Sequence, residues 1–479
     1  IVYYYKMKTA RRIAFNFVSL SLSEIVAKAL QLFIFVYIAR SYSKSDFGNF
    51  GFAIAFSAIL AVLTDFGISS LLIREISRDK KKLKKYFSNA ILMKVFFGIL
   101  TFFLAFAYLN LMNYNNETSL IAYVLLSFAI FQSFTDLFYS AFRAFESMHL
   151  DSFIKVLRMI VLTSIVVALI KNNAEFILVG IAFPLAEIAM LMVSFLIYVR
   201  HFGGVFPEYD PTVVRKILKG AFPFFISLIF VTLLVYVDSV ILERIKGPEE
   251  VGIYVAAYNI LFGISFIPLM FSNAVYPVFS RYYKSDWSLL NFAYNKALTY
   301  MLIIGLPASI GIWVYADKII NFVYGAGYEN SVLALQILCW FVFLRFVNIV
   351  PGTVLSSINR QTPRTISQAA VALLNIALNI FLIPKYGYVG AAFATVISET
   401  FFIILYAFFT IKYGITTNLF QVILKPFMAS AAMFLVISRI ENVFLGILTG
   451  IISYFIALIA VRTFEAGDKK LVLRIIKNT

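Results

Sequence analysis

The chain has 479 residues, 62% of them hydrophobic and only 14% charged, with a mean hydropathy of +0.89. A soluble domain averages about 25% charged residues, so this composition excludes a soluble domain and describes a polytopic membrane protein. The net charge of +17 would raise nucleic acid as a partner in a soluble protein; here the basic residues flank apolar runs, a pattern set by orientation and by anionic lipid headgroups.

The opening IVYYYKMK carries no signal-peptide pattern, and Met7 reads as a natural start. The first apolar run, 13–39, is long enough to cross a bilayer, which takes about 20 residues. Glu24 and Lys28 sit near its middle, one helical turn apart, with the acid N-terminal to the base. A charge at the bilayer centre costs roughly 3 kcal/mol or more and usually faces a bundle interior or a wet cavity. The first span therefore predicts something hydrophilic inside the protein.

Apolar windows with polar flanks continue at 47–73, 86–110, 118–142, 153–171 and 176–199, then at 217–243, 250–275, 293–316, 331–355, 365–383 and 389–411. A last pair, 422–440 and 443–463, reads as a tight hairpin, which makes about fourteen spans. Lys and Arg gather in alternate segments: at 6–12, at Arg74 and 78–85, at 200–219, and in the tail after Arg462. Both termini are therefore expected in the cytoplasm. The tail FEAGDKKLVLRIIKNT (464–479) reads equally as an interfacial amphipathic helix or a solvated end.

The chain repeats itself. At a shift of 204 residues, Arg40 falls on Arg244, Asp46 on Glu250, Gly48 on Gly252, Phe50 on Tyr254 and Ala53 on Ala257. At a shift of 210, VGIAF (179–183) falls on VGAAF (389–393). An even number of spans per copy keeps the two in the same orientation, a transporter architecture with the site between the halves. The expected division is a first lobe at 1–199, a linker with the start of span seven at 200–219, a second lobe at 217–411 and an appended pair with a basic tail at 412–479.

Within the spans the charges are Glu24, Lys28, Asp65, Lys94, Asp136, Arg158, Glu187, Asp238, Arg345 and Glu399. Lys28, Arg158 and Arg345 are candidates for a substrate cavity, where cations hold a phosphate or pyrophosphate. Glu24, Asp65, Asp238 and Glu399 are candidate cavity acids or coupling sites. Lys94 reads as snorkelling to the surface, Asp65 also as an anchor for the turn before Gly67, and Glu187 and Glu399 as a pair across the lobes. Arg74 and Lys85 are placed near a cytoplasmic mouth. Each charge also has a plainer reading as half of an ion pair that fixes helix packing. The lone cysteine, Cys339, excludes a disulfide framework and a Cys-based metal site. No metal-ligand spacing, nucleotide loop or nucleophile constellation occurs, so no cofactor is expected, and energy would come from an Na+ or H+ gradient, the membrane potential or the substrate's own gradient.

Three stretches, SDFGNFGFAIAF (45–56), DFGISSLLIREIS (65–77) and LIPKYGYVGAAFATVISE (382–399), give the chain a family likeness. It resembles the polysaccharide transporter branch of the multidrug/oligosaccharidyl-lipid/polysaccharide flippase superfamily, the Wzx-type flippases. The resemblance implies an all-α polytopic fold with two parallel six-helix lobes and a C-terminal helix pair. It also implies movement of a polyprenyl-pyrophosphate-linked oligosaccharide from the inner to the outer leaflet of the cell membrane, alongside glycan-assembly enzymes. Lys28 matches the basic first-helix position of such flippases, with Lys where Arg is expected. Two rival readings are a cation-coupled drug antiporter of the same superfamily, in which Glu24 would serve as coupling acid, and a polytopic polymerase or ligase, which would carry a large outer loop that this chain lacks.

Overall fold

The computed structural model describes residues 9–204, 208–417 and 419–463. The opening segment through Lys8 and the tail expected at 464–479 lie outside the described residues. Among these residues the secondary structure is helical: α1 (Thr9–Ser41), α2 (Lys44–Asp65), α3 (Ile68–Arg78), α4 (Leu83–Leu111), α5 (Asn116–Ala144), α6 (Met148–Lys171), α7 (Phe176–Phe202), α8 (Pro211–Lys246) and α9 (Pro248–Ile264). Then come α10 (Phe266–Ser285), α11 (Trp287–Val314), α12 (Ala316–Val323), α13 (Asn330–Ser357), α14 (Gln361–Lys412), α15 (Leu419–Ile437) and α16 (Val443–Ala460).

Twelve helical stretches are long and apolar enough to cross a membrane, and Val422–Ile437 is a shorter apolar helix. α14 is two helices joined at a kink, where Gly387 takes φ 55° and ψ −135°. Counting α14 twice and adding the shorter helix gives the fourteen spans expected. Exposed apolar side chains mark the lipid-facing surface, as at Phe96, Ile99, Phe103 and Phe106, which fall on one stripe of α4.

The window read as one span at 47–73 is two elements. Phe66 and Gly67 are both left-handed, at φ 47° and φ 73°, and end α2 at Asp65. Gly67 is required there twice over: its φ disfavours a side chain, and a Cβ would lie 2.7 Å from the Ala221 carbonyl oxygen. Beyond the turn, α3 buries Ile68, Leu71, Leu72 and Ile76 and turns Arg74 and Arg78 outward. Its pattern is that of a surface helix. Within 200–219, α8 starts at Pro211, where Asp210 caps it by accepting from the backbone N–H of Thr212 and Val213.

The chain forms two compact units, one within Ile1–Asn259 with Asn375–Ala391, the other within Ile260–Leu374 with Ala392–Thr479. Packing thus divides the chain elsewhere than the repeat does: α8 and most of α9, the start of the second copy, belong to the first unit. Gly48 and Gly252, equivalent at the shift of 204, lie against each other there. A Cβ on Gly48 would stand 1.7 Å from the Pro248 carbonyl oxygen, and one on Gly252 would stand 2.5 Å from that of Lys44. Lys44 and Pro248 are themselves 204 residues apart, so the contact is reciprocal, as across a local two-fold axis. In the second unit, α15 and α16 pack on the end of α11 through Met433, Ile437, Tyr454 and Leu458 around Tyr315. The Tyr315 hydroxyl donates to the carbonyl oxygens of Ile437 at 3.0 Å and Ile440 at 3.1 Å.

Candidate functional site

The first unit encloses a cavity of about 460 Å³, lined from α1 by Lys28 and Gln31, from α2 by Asp65, from α5 by Gln132, Ser133 and Asp136, and from α6 by Arg158. α8 adds Leu228 and Tyr236. The seventh span thus supplies part of the cavity wall.

The ion pairs differ from those suggested by spacing. Glu24 Oε1 accepts from Lys155 Nζ on α6 at 2.8 Å. Lys28 Nζ donates to Gln31 Oε1 at 3.1 Å. The partner is tertiary: an i, i+4 pair on one helix is worth only about 0.2–0.5 kcal/mol, and Lys155 adds a cation from across a helix interface. Lys155 also lies 3.5 Å from Asp151, which bonds Arg143 at 2.6 Å. Asp151 stands in the first turn of α6 and Arg143 in the last turn of α5, where each charge complements its helix dipole. Asp151, Lys155 and Arg158 recur at steps of four and three, so α6 turns one charged stripe toward its neighbours.

Arg158 Nη1 donates to the fully buried Glu187 on α7 at 2.9 Å. Glu187 and Glu399 are each held by an arginine of their own unit. Among the described residues, Arg158 Nε and Glu187 Oε1 are buried without a hydrogen-bond partner. Buried polar atoms of this kind need a water or a ligand.

Lys94 does not snorkel. It is 0% exposed, and its Nζ donates to Asp65 Oδ1 at 2.7 Å, Ser69 Oγ at 3.1 Å, and the carbonyl and hydroxyl oxygens of Ser133 at 2.6 and 2.8 Å. Asp65 thus anchors the turn into α3 and lines the cavity at once. Asp136 was given no role by its place in sequence. It opens onto the cavity and has no hydrogen-bond or ion-pair partner among the described residues.

Asp238 does not line this cavity. Its carboxylate accepts from the Tyr254 hydroxyl and from the Ser239 backbone N–H at 2.9 Å. Lys85 fastens the linker, bonding Asp210 at 2.6 Å. That hydrogen bond, with those from Thr212, holds the Asp210 carboxyl well below the usual carboxylate range. Arg74 lies beside Glu75 at 3.3 Å and over the Phe224 ring. In the second unit, Arg345 Nη1 donates to Glu399 Oε1 at 3.1 Å, and Asn348 donates to Glu399 Oε2 at 2.6 Å. Arg345 and Arg364 line a cavity of about 240 Å³ there.

Lys155 and Gln31, which sequence reasoning passed over, share one signal with Asp136, which it placed within a span but gave no site role. Each falls on a helix face already marked by a charge three or four residues away, or by a turn multiple of that spacing.

Residues 13–283 match the family described as polysaccharide biosynthesis protein, and residues 223–381 match MatE. The membrane protein MJ1068 of Methanocaldococcus jannaschii is 24% identical over 421 residues, 82% of this chain and 82% of that one. The putative O-antigen transporter of Escherichia coli K12 is 24% identical over 379 residues, 77% of this chain and 90% of that one. Among solved structures, the lipid II flippase MurJ in an inward closed conformation superimposes with a TM-score of 0.78 at 21% identity, covering 91% of this chain and 97% of that one. At that identity the likeness is one of fold. The match over 13–283 takes in more than half the chain and every residue lining the charged cavity, and on that ground the chain belongs to the polysaccharide biosynthesis protein family.

Proposed function

We propose that this protein is a flippase that carries a polyprenyl-(pyro)phosphate-linked oligosaccharide from the inner to the outer leaflet of the cell membrane by alternating access, for surface glycan assembly. The observation that carries the reading is the charged cavity of about 460 Å³ inside an otherwise apolar helical bundle. Ionisable groups within a membrane are expensive to keep and mark transport paths. Lys28 and Arg158 are the cations that would meet a phosphate there. The second unit offers the complementary chemistry, an apolar cavity of about 460 Å³ lined by Pro307, Met433, Ile447 and Phe455 among others, suited to a hydrocarbon chain. Both termini are proposed to be cytoplasmic, and glycan-assembly enzymes are proposed as neighbours. The protein's task is taken to be transport and not bond chemistry. A drug antiporter built on Glu24 is the weaker reading, because Lys155 already holds that acid.

The test is transfer of a labelled lipid-linked oligosaccharide across liposomes containing the full chain. Lys28→Ala and the double variant Arg158→Gln/Glu187→Gln, which leaves no lone buried charge, are each expected to slow transfer at least tenfold. Undiminished rates in both would remove the cavity from the transport path.

A further inference from the structure

The second unit holds its own polar cavity, of about 240 Å³. That is below the ~300–1,000 Å³ of a site for a drug-sized ligand and suits a single ring. α13 lines it with Arg345, Asn348 and Ser356, and α14 with Arg364, Phe402 and Tyr406. Two guanidinium groups meet here, and one carboxylate answers them. Arg345 is paired with Glu399 at 3.1 Å. Arg364 Nη1 donates to the Ser356 hydroxyl at 2.9 Å, and no carboxylate pairs with Arg364 among the described residues. Arg364 stands in the first turn of α14, where a cation opposes the helix dipole. Helix stability therefore does not account for its place. A guanidinium with charge to spare suits a carboxylate, which it holds by two parallel bonds.

Asn348 sets a second condition. Its Nδ2 donates to the Glu399 carbonyl oxygen at 3.0 Å and to Glu399 Oε2 at 2.6 Å. Both partners are acceptors, which fixes the orientation of the amide. Oδ1 is left buried with no hydrogen-bond partner among the described residues, and a buried acceptor of this kind calls for a donor. A phosphodiester carries acceptors alone and would meet this oxygen lone pair to lone pair. A neutral alcohol would supply the donor and leave Arg364 without an anion. A ring bearing both hydroxyls and a carboxylate meets both conditions. Phe402 and Tyr406, both nearly buried with ring centroids 4.4 Å apart, add an aromatic surface for the C–H groups of such a ring.

We infer that this cavity is a subsite for an acidic sugar, with its carboxylate on Arg364 and a ring hydroxyl donating to Asn348 Oδ1. The inference rests on the flippase reading for placing that sugar in a lipid-linked glycan, and it names the cargo class as a glycan that contains a uronic acid.

The probes are methyl β-glucuronide, methyl β-glucoside and dimethyl phosphate, the last standing for a lipid phosphodiester. Binding of each to the full chain in detergent is measured by ligand-observed NMR. The wild type is expected to hold the glucuronide about tenfold tighter than either of the others, the gain from one charge-assisted contact. Arg364→Gln, at an exposed position, is expected to bring the glucuronide down to the level of the glucoside and to leave glucoside binding in place. Equal binding of glucuronide and glucoside, dimethyl phosphate held as tightly as the glucuronide, unchanged glucuronide binding in Arg364→Gln, or no binding of any probe by the wild type overturns the inference. None of these outcomes touches the flippase reading, which stands or falls on liposome transfer of the lipid-linked oligosaccharide.

Discussion

Lys94→Met is expected to destabilise the protein by about 3–5 kcal/mol, the cost of removing one partner from a buried ion pair. Lys94 is fully buried and ties three helices together: Asp65 at the end of α2, Ser69 at the start of α3 and Ser133 on α5. Without the ammonium, Asp65 is left facing α4 with Ser69 as its donor, and the Ser133 carbonyl loses its extra donor. The second variant is the informative one. Lys94→Met/Asp65→Leu replaces the pair by apolar groups of similar size, a change that is often neutral or stabilising, so most of the loss is expected to return. The measurement is denaturant unfolding in one detergent, read as a double-mutant cycle. A single-variant loss under about 1 kcal/mol, the size of an exposed ion pair, would mean that Lys94 does not hold Asp65 in the native protein.

The same residue shows what a sequence can reveal about such a site. The span at 86–110 places Lys94 near a membrane edge, where a long side chain reaches water. In the fold, α4 begins at Leu83, so Lys94 stands eleven residues in, about 16 Å along the axis. That is too deep to snorkel. Lys155 was hidden in the same way, since the span drawn from 153 begins as α6 at Met148 and sets Lys155 two turns inside. A shift of a few residues at a helix end changes the reading of a charge from surface to interior.

Apart from Lys155, which charges lie within the spans was legible, because hydropathy and period report burial directly. Their partners were not. Glu24 has a base one turn away in sequence and takes another from α6; Glu187 and Glu399 lie at matching places in the repeat and are held by Arg158 and Arg345. Partner choice depends on which helices touch, and no local spacing encodes that. The repeat was legible for the opposite reason. Small residues at Gly48 and Gly252 are needed wherever two backbones approach closely, and that need leaves a mark in the sequence.

That close approach gives the other large effect. Gly48→Leu and Gly252→Leu are each expected to abolish transport and to destabilise the protein by several kcal/mol, beyond the roughly 1–3 kcal/mol usual for overpacking. The added atoms meet backbone on both sides: a Cβ on Gly48 would sit 1.7 Å from the Pro248 oxygen, and one on Gly252 would sit 2.5 Å from the Lys44 oxygen. A flexible side chain could move aside, whereas two helix backbones must separate. Because both substitutions act on one contact, their effects are expected to fall well short of additive in the double variant, for once the helices part the second side chain enters open space. Gly263→Leu serves as the control, since a Cβ there meets nothing within 4 Å, and it is expected to stay near wild type. Unfolding midpoints in detergent together with liposome transfer rates read all four variants. Full additivity, or a tolerated Gly48→Leu, would show that the two copies of the repeat do not meet at this pair.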